Sequence, residues 1–219
     1  MKLFINRHKI LLSKTIILMG YGISIPGLWI MRHNPEVFQL SWVFTTLSFV
    51  IVLIFHKPYT VPFTLSILTV GIIGWTVEAI GTNTGIIFGG YTYGNSLGPK
   101  LLNTPIAMMI NWMISTYLVV MVLKPIIINK WRLAFAGASL MVLYDILLEP
   151  VAIRLFMWSW KTGTPPLQNY IAWFIISFPL IALLSRQAKN ASNPLSIMLF
   201  ACQMIFFAIL NVMIGLFNM

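Results

Sequence analysis

Long apolar runs, separated by short charged or turn-rich breaks, dominate the chain. Several prolines lie within these runs or near their starts, and they predict kinks because neighbouring helices can satisfy the freed backbone groups. The pattern therefore predicts an all-α integral membrane protein, a single bundle of about seven transmembrane helices. Each run approaches the ~20 residues that a helix needs to cross a bilayer: 11–31, 37–55, 61–81, 104–123, 131–149, 169–185 and 194–217.

Composition agrees with this pattern. Charged residues make up only 8% of the chain and the mean hydropathy is +0.90, whereas about a quarter of a soluble domain is charged. The 219 residues suffice for seven spans with short loops, so we expect one transmembrane domain over 1–219. The first run continues to about Met31 without a small-residue cleavage site, which favours a retained first span over a signal peptide.

The net charge of +10 comes from basic residues in the breaks between runs. They form no basic stripe interleaved with aromatic residues, which argues against nucleic acid as a partner. Under the positive-inside rule, they predict a protein of the cell (inner) membrane with a cytoplasmic N-terminus and an outer C-terminus. The N-terminal side would hold ten basic residues and the other side four: Lys2, Arg7, Lys9, Lys14, Lys57, Lys124, Lys130, Arg132, Arg186 and Lys189, against Arg32, Lys100, Arg154 and Lys161.

Three of the four carboxylates, Glu78, Asp145 and Glu149, lie inside or at the ends of apolar runs. A carboxyl group in hydrocarbon is costly unless it is paired or lines a polar cavity, so each acid is a candidate functional residue. In the predicted topology both runs that hold these acids end on the outer side. We therefore expect the acids to converge near the outer face of the membrane.

Asp145 and Glu149 are four residues apart, which on a helix places them on one face with a rise of about 6 Å. Two carboxyls this close in a poor solvent do not readily both ionise, and the result is a proton donor beside an acceptor. A structural role is the alternative: either acid can pair with Arg154, Lys161 or Lys100, and Pro150 can simply end the helix.

Other polar and aromatic residues fall on the same predicted side. Asn111 and Asn169 lie near the starts of the fourth and sixth runs. The aromatic residues of this side are typical of an interfacial belt, although as a set they can also line a polyene pocket or stabilise a carbocation. They are Trp75, Tyr91, Tyr93, Trp112, Trp158, Trp160 and Trp173.

Neither a metal nor another cofactor is expected. His8, His33 and His56 lie in or beside loops and lack the spacing of metal ligands. Cys202 is the only cysteine, so one chain can form neither a disulfide nor a paired-cysteine site.

A series of motifs over about 74–174 resembles the carotenoid biosynthesis membrane-protein family, which includes carotenoid 1,2-hydratases and bisanhydrobacterioruberin hydratase. Their order is more specific than any one of them. The motifs are EAIGTNTG at 78–85, FGGYTY at 88–93, LGP at 97–99, TPI at 104–106, NW at 111–112, YDILLEP at 144–150, WSW at 158–160 and NYIAWF at 169–174.

The resemblance implies that water is added to the terminal C1–C2 double bond of an acyclic carotenoid end, as in lycopene or γ-carotene, without a cofactor. The substrate would come from the bilayer lipid and the water from the interface. Asp145 is our candidate proton donor, Glu149 its partner and water base, and Glu78 a second carboxylate able to exchange roles with either. The candidate substrate-binding residues are Asn111, Trp112, Tyr91, Tyr93, Asn169, Trp173 and Trp158.

Two other functions remain open. An end-group cyclase or isomerase would begin with the same protonation but exclude water. A proton-coupled seven-helix transporter or a lipid-binding membrane protein could use the same three acids.

Overall fold

A computed structural model describes residues 2–30 and 41–217. These residues form seven α-helices, and the predicted all-α membrane fold is confirmed. The end of the first predicted run at 31 and the start of the second at 37–40, together with Arg32 and His33, lie outside the described residues. The helices are α1 Lys2–Ile30, α2 Ser41–Ile54, α3 Val61–Thr84, α4 Ala107–Leu123, α5 Lys130–Arg154, α6 Leu167–Gln187 and α7 Ser196–Phe217.

Five of these helices, α1, α3, α5, α6 and α7, are long and apolar enough to cross a membrane. The other two are shorter, with 14 residues in α2 and 17 in α4. Helix α4 is nevertheless the centre of the bundle, because it packs against α2, α3, α5, α6 and α7. Tyr117, Leu118, Val119 and Val120 follow one another along it and are all fully buried.

Local sequence sets the ends of α3. The Thr60 hydroxyl accepts a hydrogen bond from the Phe63 amide at its start. At its end Gly85 adopts a φ of 71° and donates its amide to the Gly81 carbonyl, a conformation that glycine reaches without strain. The helix thus continues three residues beyond the predicted 81, through Thr84.

Helix α5 runs through Pro150 to Arg154, so the alternative in which this proline ends the helix is wrong. A proline removes one backbone donor, and a packed membrane bundle tolerates that loss. The helix begins at Lys130 and is capped by Asn129, whose side-chain oxygen accepts from the amides of Trp131 and Arg132. At its other end the helix extends five residues beyond the predicted 149, into the segment that connects it to α6.

Four short strands lie in the loops that the structure describes, where the sequence pattern predicted none: β1 Tyr91–Tyr93, β2 Lys100–Leu101, β3 Thr104–Pro105 and β4 Trp158–Trp160. They form two antiparallel two-stranded ribbons, β1 with β4 and β2 with β3. The β1–β4 ribbon joins the loop after α3 to the loop after α5. It therefore lies where α3 and α5 end and α4 and α6 begin.

A buried polar cluster at the opposite end of the helices ties α2, α4 and the segment before α7 together. The Tyr117 hydroxyl lies 2.9 Å from His56 Nδ1 and accepts from Asn193 Nδ2, also at 2.9 Å. Asn193 donates in addition to the Val52 carbonyl. Burial, aided by the charge of Lys124, lowers the pKa of His56 to about 4, so this histidine is neutral at physiological pH.

Candidate active site

Glu78 lies near the end of α3 and is 3% exposed. Its Oε2 accepts hydrogen bonds from the hydroxyls of Tyr91 at 2.7 Å and Tyr93 at 2.6 Å. Its Oε1 accepts from the indole nitrogen of Trp112, on α4, at 3.1 Å. Three uncharged donors therefore surround this carboxyl group, an arrangement that suits its anionic form because a carboxylate is an acceptor only.

Glu149 lies one turn before the end of α5 and is 2% exposed. Its Oε2 accepts from two indole nitrogens of β4, Trp158 at 3.0 Å and Trp160 at 2.8 Å. The donors to this acid are again neutral, and they come from a strand that starts only nine residues further along the chain.

Asp145, one turn earlier in α5, is 1% exposed. Asn169, in the first turn of α6, donates its amide to Asp145 Oδ2 at 2.6 Å and lies 3.5 Å from Glu149 Oε1. One amide thus bridges the two acids that the i, i+4 spacing placed on one face. Asp145 Oδ1 is buried and has no hydrogen-bond partner among the described residues.

The three acids form one cluster. Glu78 is close enough to interact electrostatically with both Asp145 and Glu149. The membrane face on which the three acids lie stays a prediction. Lys100, considered above as a partner for these acids, donates instead to the Tyr93 carbonyl at 2.7 Å. The cluster is therefore held by phenols, indoles and an amide.

The β1–β4 ribbon explains how four aromatic donors reach two glutamates. Tyr91 pairs with Trp160 and Tyr93 with Trp158, and successive side chains on a strand point to opposite faces. The aromatic residues at both ends of each strand are buried, whereas the central Thr92 and Ser159 are exposed and their hydroxyls lie 3.1 Å apart. One face of the ribbon thus covers the acids.

The phenols of the ribbon remain protonated. Burial, reinforced by the charge of Glu78, raises the pKa of both Tyr91 and Tyr93 above the usual value for tyrosine. Each phenol therefore keeps its proton at physiological pH and can donate a hydrogen bond to Glu78.

A stacked pair of indoles forms a second wall of the site. The rings of Trp112 and Trp173 are 4.6 Å apart with an interplanar angle of 17°. Trp112 also donates to Glu78, so the ring stacking that joins α4 to α6 also orients the donor to this acid. Aromatic faces of this kind attract cations.

Asn111 is separated from the other candidate residues. Its amide contacts Met108 Sδ at 3.7 Å, and it lines a cavity that borders none of the three acids.

Trp160 donates to Glu149, although the sequence analysis names it only as one aromatic residue of the predicted outer side and not as a site residue. The alternation Trp158-Ser159-Trp160, which is typical of a strand with one buried face, was the signal that could have found it.

In the part of the chain that the structure describes, no three His, Cys, Asp or Glu side chains are arranged to hold a metal ion. The site instead combines three buried carboxyl groups, one of them with a free oxygen, and several aromatic faces. Such a site can donate a proton, accept one and stabilise positive charge between the two events.

Fold and site together define a helical membrane protein with a buried acid cluster under an aromatic ribbon. The family model described as "Carotenoid biosynthesis protein" matches residues 36–219, and the chain belongs to this family. It is also similar to a bisanhydrobacterioruberin hydratase of Haloarcula japonica, with 28% identity over 120 residues. That match covers 51% of this chain and 41% of the relative, so it spans about two fifths of the relative's length. No solved structure matches the chain.

Proposed function

We propose that this protein is a cofactor-independent carotenoid hydratase, which adds water to the terminal C1–C2 double bond of an acyclic end group. The observation that carries the proposal is the free, buried Oδ1 of Asp145 within a cluster of three acids. Family membership and the hydratase relative support a carotenoid as the substrate class. The substrate would be a lycopene-like or γ-carotene-like polyene.

Asp145 is the proposed proton donor. Its Oδ2 accepts from Asn169, which leaves Oδ1 to carry a proton towards the substrate. Transfer of this proton to the less substituted alkene carbon forms a C–H bond and breaks the π bond. The adjoining carbon becomes a tertiary cation, and Asp145 becomes a carboxylate.

Glu149 is the proposed base for water. As water attacks the cation and the C–O bond forms, a proton passes from this water to Glu149. Transfer of that proton to Asp145 restores the starting state. The Asn169 amide between the two acids would hold their side chains at a fixed separation for this transfer. The cycle therefore consumes one water for each double bond and needs no other co-reactant.

Glu78 and the aromatic faces would stabilise the cation. With three donors fixed on its oxygens, Glu78 is a preorganised negative charge, and preorganised charge is more effective in a dry site than in water. The stacked Trp112 and Trp173 add π-faces. Tyr91, Tyr93 and Trp158 would act through the glutamates that they hold.

The topology proposed above supplies both reactants. A polyene would enter from the cell membrane, and water would enter from the nearby outer face. This orientation rests on the Lys and Arg distribution.

The proposal predicts the product mass. Lycopene-accumulating cells that express this chain should form a carotenoid heavier by one water, measured by mass spectrometry of extracted pigments. Asp145→Asn should lower the rate at least about a hundredfold, because loss of a general acid typically has this effect. Glu149→Gln should act in the same direction.

Glu36→Gln is the matched control, because Glu36 is the fourth carboxylate and lies outside the predicted apolar runs. This variant should retain wild-type conversion. If Asp145→Asn and Glu149→Gln both retain it too, the catalytic assignment is wrong and a proton-coupled transporter becomes the better reading of the acids.

Cyclisation of the same end group is the second candidate. It is favoured by the dryness of the site, since none of the three acids is more than 3% exposed and a cyclase must exclude water. A product of unchanged mass from lycopene would establish cyclisation or isomerisation and contradict the hydratase proposal.

A further inference from the structure

A cavity of about 370 Å³ lies beside the acid cluster, with walls from α1, α2, α4, α5 and α7. This volume falls within the range of roughly 300–1,000 Å³ found for small-molecule sites. The proposed reaction uses none of its polar side chains. The cavity therefore calls for an occupant of its own.

Helices α4 and α5 lie between the cavity and the acids. Each of them has at least one residue that lines the cavity and is followed by a residue that belongs to the acid cluster. Helix α5 presents Tyr144 and Leu148 to the cavity, one residue before Asp145 and Glu149 respectively. Helix α4 presents Asn111 to the cavity, while the next residue, Trp112, reaches Glu78. Consecutive helical residues point about 100° apart, so the cavity and the acid cluster are neighbours across the α4–α5 pair.

The cavity contains an unsatisfied polar atom in a mainly apolar lining. Gln203, on α7, is 4% exposed, and its Oε1 is buried without a hydrogen-bond partner among the described residues. Buried polar atoms nearly always have partners. An occupant that donates a hydrogen bond would supply the missing one.

The wall formed by α1 lies at the outside of the bundle. Only 6% of the residues in its most apolar stretch are buried, and Ile23, which lines the cavity, is exposed. A molecule dissolved in the membrane therefore has to pass only one loosely packed helix to reach the cavity. Gly27 on this helix leaves the wall thin, since a Cβ placed there would meet nothing within 4 Å.

We infer that the cavity binds part of an isoprenoid chain from the bilayer, with a hydroxyl group of that chain donating to Gln203 Oε1. Lipid acyl chains fit an apolar lining but carry no donor, whereas a hydroxylated polyene has both features. The choice of a polyene rests on the proposed function. The cavity would hold a hydroxylated stretch of a substrate or product beside the acid cluster.

Binding can be measured directly with purified protein in lipid nanodiscs. The probes are lycopene and its 1-hydroxy derivative. Both are achiral in solution, and a chiral cavity induces circular dichroism in their visible bands. Wild type should bind the hydroxylated probe about fivefold more tightly, the effect of one neutral hydrogen bond.

Two variants test the two parts of the site. Gln203→Met keeps the length of the side chain but removes the acceptor, so both probes should bind with the affinity of lycopene. Gly27→Phe fills the cavity and should abolish the induced signal. Gly27→Val, a smaller change, should weaken it.

Gly22→Phe is the matched control for Gly27→Phe. Gly22 lies on the same helix, a Cβ there also meets nothing within 4 Å, and it does not line the cavity. The two glycines are roughly 140° apart around the helix. The Gly22→Phe variant should bind both probes like wild type.

An unchanged signal in both Gly27 variants, or no signal in wild type, would overturn the cavity assignment. Equal wild-type affinity for the two probes would overturn the contact with Gln203. Pigment mass separates these failures from failure of the proposed function: binding without any hydrated product contradicts the hydratase and leaves the cavity site standing. A hydrated product without any binding signal would support the hydratase and contradict the cavity site.

Discussion

At the scale of single residues, the acids are distinguished by their partners. Glu78 is saturated by three donors, Glu149 is held by two indoles, and Asp145 keeps one oxygen free. Rarity of acids in an apolar chain was enough to identify all three from the sequence. Their partners were not all identifiable, because a side-chain hydrogen bond depends on which loop folds over which helix.

Trp160→Phe should lower the rate of product formation at least about tenfold, since one charge-assisted hydrogen bond is worth roughly 1.5–3 kcal/mol. The substitution removes the 2.8 Å hydrogen bond to Glu149 but keeps an aromatic ring near Tyr91. The measurement is the initial rate of pigment conversion, alongside the thermal melting temperature in detergent.

Trp131→Phe provides the control. Trp131 is 55% exposed and its ring stacks on Phe178, a contact that phenylalanine can retain. If both tryptophan variants lose the same activity, the indole hydrogen bond to Glu149 has no specific role.

At the scale of elements, close approach of α3 and α4 positions the donor to Glu78. A Cβ on Gly74 would clash with Cγ of Trp112, whereas one on Gly71 would meet the flexible side chains of Met109 and Met113. Small residues permit such approach between membrane helices. The packing of α3 on α4 at Gly74 therefore also fixes the position of Trp112 relative to Glu78.

Gly74→Ala should destabilise the protein by about 1–3 kcal/mol, the usual cost of overpacking a core, and should lower activity by displacing Trp112 from Glu78. Gly71→Ala should be tolerated, because methionine side chains can adjust. Thermal unfolding in detergent and pigment conversion measure the two effects. Similar losses in both variants would contradict the role given to Gly74.

The helices were largely predictable, and the ribbons were not. Apolar runs located the helices to within a few residues at the ends that the structure describes, with two exceptions: α1 begins nine residues before its predicted run, and α5 continues through Pro150. The two-residue strands β2 and β3 are too short for alternation to stand out, and the alternation Trp158-Ser159-Trp160 does not indicate which segment β4 pairs with. The pairing of β1 with β4 joins positions as far apart as Thr92 and Ser159, which are 67 residues distant in sequence.

At the scale of the whole molecule, the orientation in the membrane remains a prediction from charge. Thr164 lies in the exposed loop at the end that carries the acids, and Asn190 in an exposed loop between α6 and α7. In a Cys202→Ser background, a membrane-impermeant thiol reagent should label the Thr164→Cys variant in intact cells. The Asn190→Cys variant should react only after lysis, and the reverse pattern would place the acids at the cytoplasmic face.

The sequence by itself determined the class of protein, its helices and the three acids, because hydropathy and the cost of buried charge act locally along the chain. Only the tertiary structure decided what surrounds those acids. Donors to Glu78 come from β1 and α4, and a bridging amide comes from α6. The cavity at Gln203 needs five helices to enclose it. Such features arise from contacts between distant segments, and no periodicity within one segment encodes them.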